Sequence, residues 1–463
     1  MNRDSQAILQ AKMRAGGVAE PAINAFLAAV AKVAAGERGQ IPESAIEPAA
    51  ELPSLDSFPA AAASGGQLLN QLVVVKLNGG LGTSMGLDRV KSLIAVKGGE
   101  TFLDFIAKQI LQLRVRSHAP RLAFYLMDSF STQADTLDYL RKYPALSSEG
   151  ELDFLQSKVP KLDAQTLLPV AWPAQPELEW CPPGHGDLYP SLLGCGLLDK
   201  LLARGIRFLF VSNSDNLGAT VDTRLLNYFA RSGSSFLMEV AVRTAADRKG
   251  GHLARRRADG RLLLREAAQC LVADDAAFQN IERHRFFNTN NLWIRLDHLK
   301  AQLDQCGGVL PLALITNAKT VDPRDASSPK VLQIESAMGA AIECFPSTGA
   351  IVVPRCRFAP VKTTGDLLAL RSDAYRLTDD FQLVLDESRQ GRPPVIELDS
   401  KHYKLLADFE AAFANGAPSL LNCDSLKVSG KMVFSARVEC RGHVEFLNTS
   451  AETQSIESGL YEG

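Results

Sequence analysis

The sequence lacks the features that would tie it to a membrane, an oxidising compartment or a nucleic acid. No apolar run approaches the roughly 20 residues that a membrane-spanning helix needs, and Met1-Asn2-Arg3-Asp4 is polar where a secretory signal is apolar. The eight cysteines are scattered from Cys181 to Cys440 without a Cys-x-x-Cys pair. That distribution fits reduced thiols in the cytoplasm better than a disulfide framework or a zinc site. The seven histidines show no paired ligand spacing. An excess of charge is missing too: the net value is −2, so no global field recruits nucleic acid or anionic lipid. A polyanionic substrate would have to meet a few local cations.

What is present is an ordinary globular composition, 46% apolar and 22% charged over 463 residues, long enough for two or three domains. Gln6 to Ala34 carries apolar residues at helical spacing, and a connector rich in Ala, Pro, Ser and Gly follows from Pro42 to Gly66. From Leu72 strands and helices alternate. Leu72–Leu77, Arg121–Met127, Ile206–Val211, Phe236–Val242 and Asn291–Leu296 read as strands; Thr101-x-x-Asp104 reads as a capping box for a helix to about Arg116, and Ser131 as the cap of the next. This order predicts βαβ crossovers and a mostly parallel sheet whose ligands bind beyond the strands' carboxyl ends. Near the end the period becomes six: Leu420, Leu426, Met432, Val438 and Val444, with Val428, Phe434, Cys440 and Phe446 in the same register. A hexad repeat predicts a small parallel β-helix. The expected domains are 1–65 (helical segment and connector), 66–385 (catalytic) and 386–463 (β-helix).

Five motifs carry chemistry. Val73 to Ser92 contains Lys76-Leu77-Asn78-Gly79-Gly80-Leu81-Gly82-Thr83-Ser84, then Lys91. Glycines let successive N–H groups turn toward one anion, hydroxyls add donors, and the lysine supplies charge. The loop fits neither the G-x-x-x-x-G-K-[ST] template nor G-x-G-x-x-G, because Met85 stands at the third glycine's place. In Pro182-Pro183-Gly184-His185-Gly186-Asp187 two glycines flank a histidine, so backbone can approach a ligand beside the ring; a tight turn capped by Asp187 is the plainer reading. Ser212-Asn213-Ser214-Asp215-Asn216 puts a carboxylate at a strand end, suited to Mg²⁺ or to capping a turn. Asn288-Thr289-Asn290-Asn291 offers amides that suit sugar hydroxyls or an Asx turn. Arg355, Arg357 and Lys362, braced by Pro354 and Pro360, form a local positive spot or a solvated loop.

In this order the five motifs resemble the UTP–glucose-1-phosphate uridylyltransferase family (UDP-glucose pyrophosphorylase, eukaryotic type) from about Gly66 to the C-terminus. The resemblance implies a Rossmann-like nucleotidyltransferase domain, an N-terminal piece and a C-terminal left-handed β-helix, through which the chain would form a homo-oligomer. It implies that Leu77, Asn78, Gly79 and Gly80 line the UTP site, that Lys91 contacts phosphates, and that Gln156 binds uracil. Gly184 would meet the nucleotide and His185 the sugar phosphate; Asn213 and Asp215 would contact substrate, with Asp215 holding Mg²⁺. Asn290 would bind the sugar, and Lys362 would stabilise the reacting phosphates. The chain departs from the family at Leu87-Asp88-Arg89-Val90, where many relatives carry Gly-Pro before the lysine, and in its short C-terminal repeat.

The expected reaction is in-line attack of glucose 1-phosphate on the α-phosphorus of UTP, with Lys91, Lys362 and Mg²⁺ offsetting the repulsion of two anions. Another sugar-1-phosphate specificity is the alternative within this class. A UDP-sugar-binding regulator would be expected to lose Lys91, Asp215 or Lys362. An acyltransferase needs more hexads, and a nicotinamide dehydrogenase needs the missing glycine at position 85.

Overall fold

The structure, a computed structural model, describes residues 3–49, 51–58, 65–87, 89–147, 150–244 and 247–463. Two helices, Arg3–Ala15 and Glu20–Ala34, open the chain and separate at Gly16-Gly17. Their apolar stripes (Leu9, Met13, Ile23, Phe26, Val30) pack on Val159, Leu162 and Ile334 of the main body. The connector contains a strand, Ile46–Pro48, that pairs antiparallel with His252–Arg256; residues 59–64 of it lie outside the described set. A proline there is tolerated because the strand is an edge.

The central sheet has ten strands. Leu72–Leu77 sits between Phe208–Asn213 and Ala123–Asp128, parallel to both, and Asp153–Leu155 adds a further parallel strand. Val74 belongs to one apolar layer with the helices Phe102–Arg116 and Thr223–Ser232. Val73 and Val75 belong to the opposite layer, with Leu188–Gly194, Leu197–Ala203 and Leu296–Gln305. Helices on both faces explain why the strand is apolar at every position rather than alternately.

The sheet is mixed, which corrects the expectation of a mostly parallel one. Phe286–Arg295 runs antiparallel to Phe208–Asn213 on one side and to Phe236–Val242 on the other. A strand buried on both faces reads as the same apolar run whichever way it points, so its direction carries no sequence signal. The reversal places its amino end, Phe287 to Asn290, beside the carboxyl ends of the parallel strands.

The expected capping box is present: Thr101 Oγ1 accepts the Asp104 N–H at 3.2 Å and Asp104 returns the bond to the Thr101 N–H at 2.8 Å. The next helix, Gln133–Leu140, starts from Thr132 rather than Ser131. Thr132 Oγ1 accepts the Ser129 N–H at 2.9 Å, closing the turn before the helix instead of capping it.

The C-terminal region is built of parallel strands. Val395–Leu398, Ser419–Ser429, Val438–Leu447 and Gly459–Glu462 lie side by side, and Met432–Phe434 pairs with Gln454–Ile456. The register sets Leu426 beside Val444 and Val428 beside Phe446, so the two hexad series superpose after three steps. All their members are buried, in one apolar cluster that continues to Val74 and Phe102 of the main body. No helix among the described residues is long and apolar enough to cross a membrane.

Candidate active site

The glycine loop leaves the central strand at its carboxyl end. Asn78 is the anchor: its N–H donates to Met127 O at 2.8 Å, and its side-chain amide donates to Asp128 Oδ1 at 2.7 Å and Thr136 Oγ1 at 3.0 Å. Asn78 is therefore buried and turned into the protein, where it positions the loop. Among the described residues the N–H groups of Gly79 and Gly80 carry no hydrogen bond, which leaves two free donors in succession. Farther on the loop zips to itself: Leu81 faces Val90, with Gly82 N–H to Arg89 O and Lys91 N–H to Gly80 O, each at 3.3 Å. Asp88 lies outside the described residues. Arg89 is exposed, and no described residue bonds its side chain.

A second wall comes from Gln156 and the Pro182–Asp187 turn. A Cβ on Gly79 would stand 2.7 Å from Gln156 Oε1, and Gln156 Nε2 donates to Gly184 O at 3.1 Å. The three residues thus form one line, closed at each end by a glycine. Gly184 has φ +80, and a Cβ there would stand 2.5 Å from Ser336 O, so no other residue fits both backbone and space. His185 Nδ1 accepts the Met338 N–H at 2.9 Å. That fixes the tautomer with its proton on Nε2, and burial pushes the pKa down to about 4, so the ring is a neutral donor. Asp187 does not cap the helix that follows it; its Oδ2 accepts the Ser157 N–H at 2.6 Å and Ser191 Oγ–H at 2.7 Å.

Asp215 stands one residue beyond Ser214, whose N–H donates to Leu77 O at 3.0 Å, while Asn213 lies beside Leu77 in the sheet. Lys91 Nζ donates to Asp215 Oδ2 at 2.6 Å, so the glycine loop and the second strand end are joined by an ion pair. Asp215 Oδ1 is buried with no partner. An orphaned carboxylate oxygen beside free backbone donors is a place for a cation that also has phosphate oxygens to hold. Among the described residues no three His, Cys, Asp or Glu side chains gather for a metal, so substrate and water oxygens would supply the remaining ligands, as Mg²⁺ prefers.

Behind these groups lies a buried network centred on Glu239, a residue outside every motif. Glu239, fully buried, accepts two bonds from Arg357, both at 2.7 Å, one from Trp293 Nε1 at 2.9 Å and one from Asn291 Nδ2 at 3.1 Å. Asn216 Nδ2 donates to Arg357 O at 3.1 Å and Asn216 Oδ1 accepts the Ala359 N–H at 3.0 Å. Three sequence motifs are tied into one body through a single carboxylate. Lys76 borders it, donating to Ser212 Oγ at 2.8 Å and Ala219 O at 2.7 Å, with burial pulling its pKa down to about 7. A cavity of about 480 Å³ is also bordered by Lys76 and Arg357, and its lining holds none of the residues to which the resemblance gives a substrate contact.

That body presents two further residues. Asn290 has φ +59 and sits where the pairing with Phe236–Val242 slips between Glu239 and Val240. Such a bulge re-aims a side chain, and Asn tolerates the left-handed backbone. Lys362 is exposed, one residue beyond Val361, whose N–H donates to Asp215 O at 3.3 Å. Its ammonium lies 5.9 Å from the Phe358 ring centre, and its charge partly offsets the burial that raises the Glu266 pKa. Lys362 is thus brought to the Asp215 turn through its backbone, while its side chain bonds neither Asp215 nor Lys91.

The sequence did hold a signal for Glu239. It is the lone charge in the apolar strand Phe236–Val242, and a carboxylate so placed requires a buried cation. Asn216 lay within a motif without a role of its own, and Ser336 carried no mark.

Comparison with known proteins agrees with this arrangement. The family model described as UTP–glucose-1-phosphate uridylyltransferase matches residues 23–441. The protein of that name from Saccharomyces cerevisiae is 42% identical over 84% of this chain and 77% of its own length. The one from Solanum tuberosum is 41% identical over 85% and 80%. Among solved structures, a mutant of UDP-glucose pyrophosphorylase from Leishmania major, in complex with UDP-glucose, is 48% identical and superposes with a TM-score of 0.94 over all of both chains. The Trypanosoma brucei UDP-glucose phosphorylase is 49% identical, with a TM-score of 0.92 over 99% of this chain and 98% of that one. With the family match spanning most of its length and its motifs joined in one cleft, this chain belongs to the UTP–glucose-1-phosphate uridylyltransferase family.

Proposed function

We propose that this chain transfers the uridylyl group of UTP to glucose 1-phosphate, giving UDP-glucose and pyrophosphate. The observation that carries the proposal is the Lys91–Asp215 ion pair, 2.6 Å long, which closes the glycine loop against the second strand end and leaves one buried carboxylate oxygen open.

A phosphate oxygen of glucose 1-phosphate forms the new bond to the α-phosphorus, and the α–β bridge breaks with its electron pair leaving on pyrophosphate. No proton and no covalent enzyme intermediate are required, so catalysis is placement and charge neutralisation. Leu77 to Gly80 hold UTP, with the Gly79 and Gly80 N–H groups toward its phosphates. Gln156 reads uracil with Oε1, its amide already fixed on Gly184. His185 donates Nε2–H to the sugar phosphate, Asn213 lines the contact between the two substrates, and Asn290 bonds a sugar hydroxyl. Lys91 and Lys362 neutralise phosphate charge from opposite sides. Mg²⁺, held by Asp215 Oδ1, would add positive charge between the phosphates.

The division into 1–65, 66–385 and 386–463 belongs to the same reading. So does a C-terminal left-handed β-helix, supported by hexads that superpose after three steps. Among the described residues its last strand, Gly459–Glu462, pairs with Val438–Leu447 alone, and we assign this open side to a homo-oligomer contact. Eight free thiols support a cytoplasmic setting.

Pyrophosphate release with UTP, Mg²⁺ and a panel of sugar 1-phosphates tests the reaction, with glucose 1-phosphate expected to give the highest kcat/KM. Preference for another sugar would move the chain to a different UDP-sugar, and no release with any would overturn the proposal. In the same assay Lys362→Ala should lower kcat at least about 100-fold, the scale of one lost electrostatic stabiliser. Because Lys362 is exposed, Tm should stay within about 2 °C of the parent. Near-normal kcat would remove Lys362 from the mechanism.

A further inference from the structure

A second cavity, of about 340 Å³, lies behind the Pro182–Asp187 turn and takes no part in the reaction above. One wall is the helix Glu20–Ala34, which offers Ala22, Ala25 and Ala29, three small residues at the spacing of one helical face. The facing wall is Val309, Leu310 and Leu312, and the floor includes Pro183, Gly186 and Ser336. Larger side chains on the helix would fill the space; alanines keep it open.

The cavity is apolar except for a few charged groups, and only one of them is uncommitted. Asp187 accepts bonds from Ser157 and Ser191, and Glu335 Oε1 accepts Asn317 Nδ2 at 3.1 Å. Lys32 lines the same space, and no described residue bonds or pairs its ammonium. An apolar chamber of this volume with one free cation fits a drug-sized molecule that has an apolar body and a single negative charge.

The floor connects the cavity to the substrate turn. Ser336 N–H donates to Pro183 O at 3.0 Å. A Cβ on Gly186 would stand 2.3 Å from Ser336 Oγ, and one on Gly184 would stand 2.5 Å from Ser336 O. Two residues on, Met338 N–H holds His185 Nδ1. Contacts this close leave no slack, so a ligand pressing on Ser336 moves the turn that carries Gly184 and His185.

We propose that this cavity is a regulatory site for a small amphiphilic anion, an aromatic or aliphatic body bearing one carboxylate or sulfonate, anchored by Lys32. Its occupancy changes the affinity for glucose 1-phosphate through Ser336 and His185. The site itself stands on geometry alone; its effect on activity rests on the function proposed above.

The probe is 1-anilinonaphthalene-8-sulfonate, titrated by fluorescence against the intact folded chain. One saturable site in the micromolar range is expected, weakened about tenfold by Lys32→Glu, a step worth 1.4 kcal/mol, and abolished by Ala29→Phe, which fills the chamber. In the pyrophosphate assay the probe, and Ala29→Phe without it, should change KM for glucose 1-phosphate at least threefold with kcat held. Should Ala29→Phe fail to fold, Lys32→Glu alone decides the binding. Saturation with the same Kd in parent and Lys32→Glu overturns the site, as does no saturable binding. Binding that follows the variants while KM does not move overturns the regulatory half. Variant-sensitive binding in a protein that releases no pyrophosphate overturns the proposed function and leaves the site standing.

Discussion

Two walls of the cleft are held by different physics. The glycine loop is backbone: its outward groups are the Gly79 and Gly80 amides, and its attachment is Asn78 below and the Lys91–Asp215 pair above. The opposite wall is side chains: Asn216, Asn291, Trp293 and Arg357 all converge, directly or through Arg357 O, on one buried carboxylate. A backbone wall can follow a triphosphate as it binds and leaves, because few bonds hold it. A wall of buried charge cannot move without leaving a group unpaired, so it suits residues such as Asn290 and Lys362 whose placement must not vary.

The sharpest way to break this contrast is at its rigid side. Glu239→Gln leaves the Arg357 guanidinium buried without its counter-charge, and losing one partner of a buried pair costs about 3–5 kcal/mol. The expected outcome is a large fall in the urea midpoint, together with a kcat reduced at 25 °C because the Arg357–Lys362 segment loses its hold. Adding Arg357→Met to Glu239→Gln should recover part of the stability, because no buried charge is left unpaired, and little of the activity, since the two 2.7 Å bonds that tie the Arg357–Lys362 segment to Glu239 are gone. A Glu239→Gln protein with parental stability and kcat would mean that the wall is not held by charge.

On the flexible side the effect should be smaller and of another kind. Gly79→Ala places a Cβ 2.7 Å from Gln156 Oε1, and the clash is with the end of a side chain that can swing away. Stability should therefore change by less than about 1 kcal/mol, while KM for UTP rises about tenfold because Gln156 no longer meets uracil and the loop path shifts. Unchanged KM with lowered Tm would reverse the assignment and make Gly79 a packing residue.

The same contrast explains what was legible in the sequence. A backbone wall is encoded locally, as Leu77-Asn78-Gly79-Gly80 followed by Lys91, so its place after the strand could be read from one segment. The hexads were legible for a similar reason: each buried apolar residue repeats at a fixed step, and the parallel strands pair after three such steps. The side-chain wall joins positions 216, 239, 291 and 357, which are distant in the chain, and pairing across that distance leaves no periodicity. Glu239 gave a hint because a charge in an apolar strand is anomalous; Asn216 stood in a motif, but its partners Arg357 O and Ala359 N–H did not show. Strand direction was illegible too, since burial on both faces erases it at Phe286–Arg295. Asn78 shows another limit: its side chain points into the protein, because position in a motif does not determine which way an amide turns.

The anchor under the flexible wall allows the finest test. Asp128 is fully buried; its Oδ1 accepts Asn78 Nδ2 at 2.7 Å, Thr132 Oγ1 at 3.2 Å and Thr136 Oγ1 at 3.3 Å, and Oδ2 has no partner. Burial pushes its pKa up to about 7, against about 3.9 for the unfolded chain. Between those values the native state keeps a proton that the unfolded state has released, so this group's contribution to stability is full below about pH 4 and declines as pH rises toward 7. Asp128→Asn copies the neutral acid: one oxygen still accepts from Asn78, and one unpartnered donor replaces another. Tm measured for parent and variant from about pH 3.5 to 8 should diverge, the variant gaining on the parent as pH rises from about 4 toward 7 and running level with it only below about pH 4. The difference between the two curves isolates Asp128 from Asp187, whose pKa burial also raises, to about 6. KM for UTP should change little across the series, because the amide keeps the Asn78 tie on which the loop depends. Parallel Tm curves would show that Asp128 is ionised in the folded protein and that the loop is anchored to a charge, which would make the two walls alike.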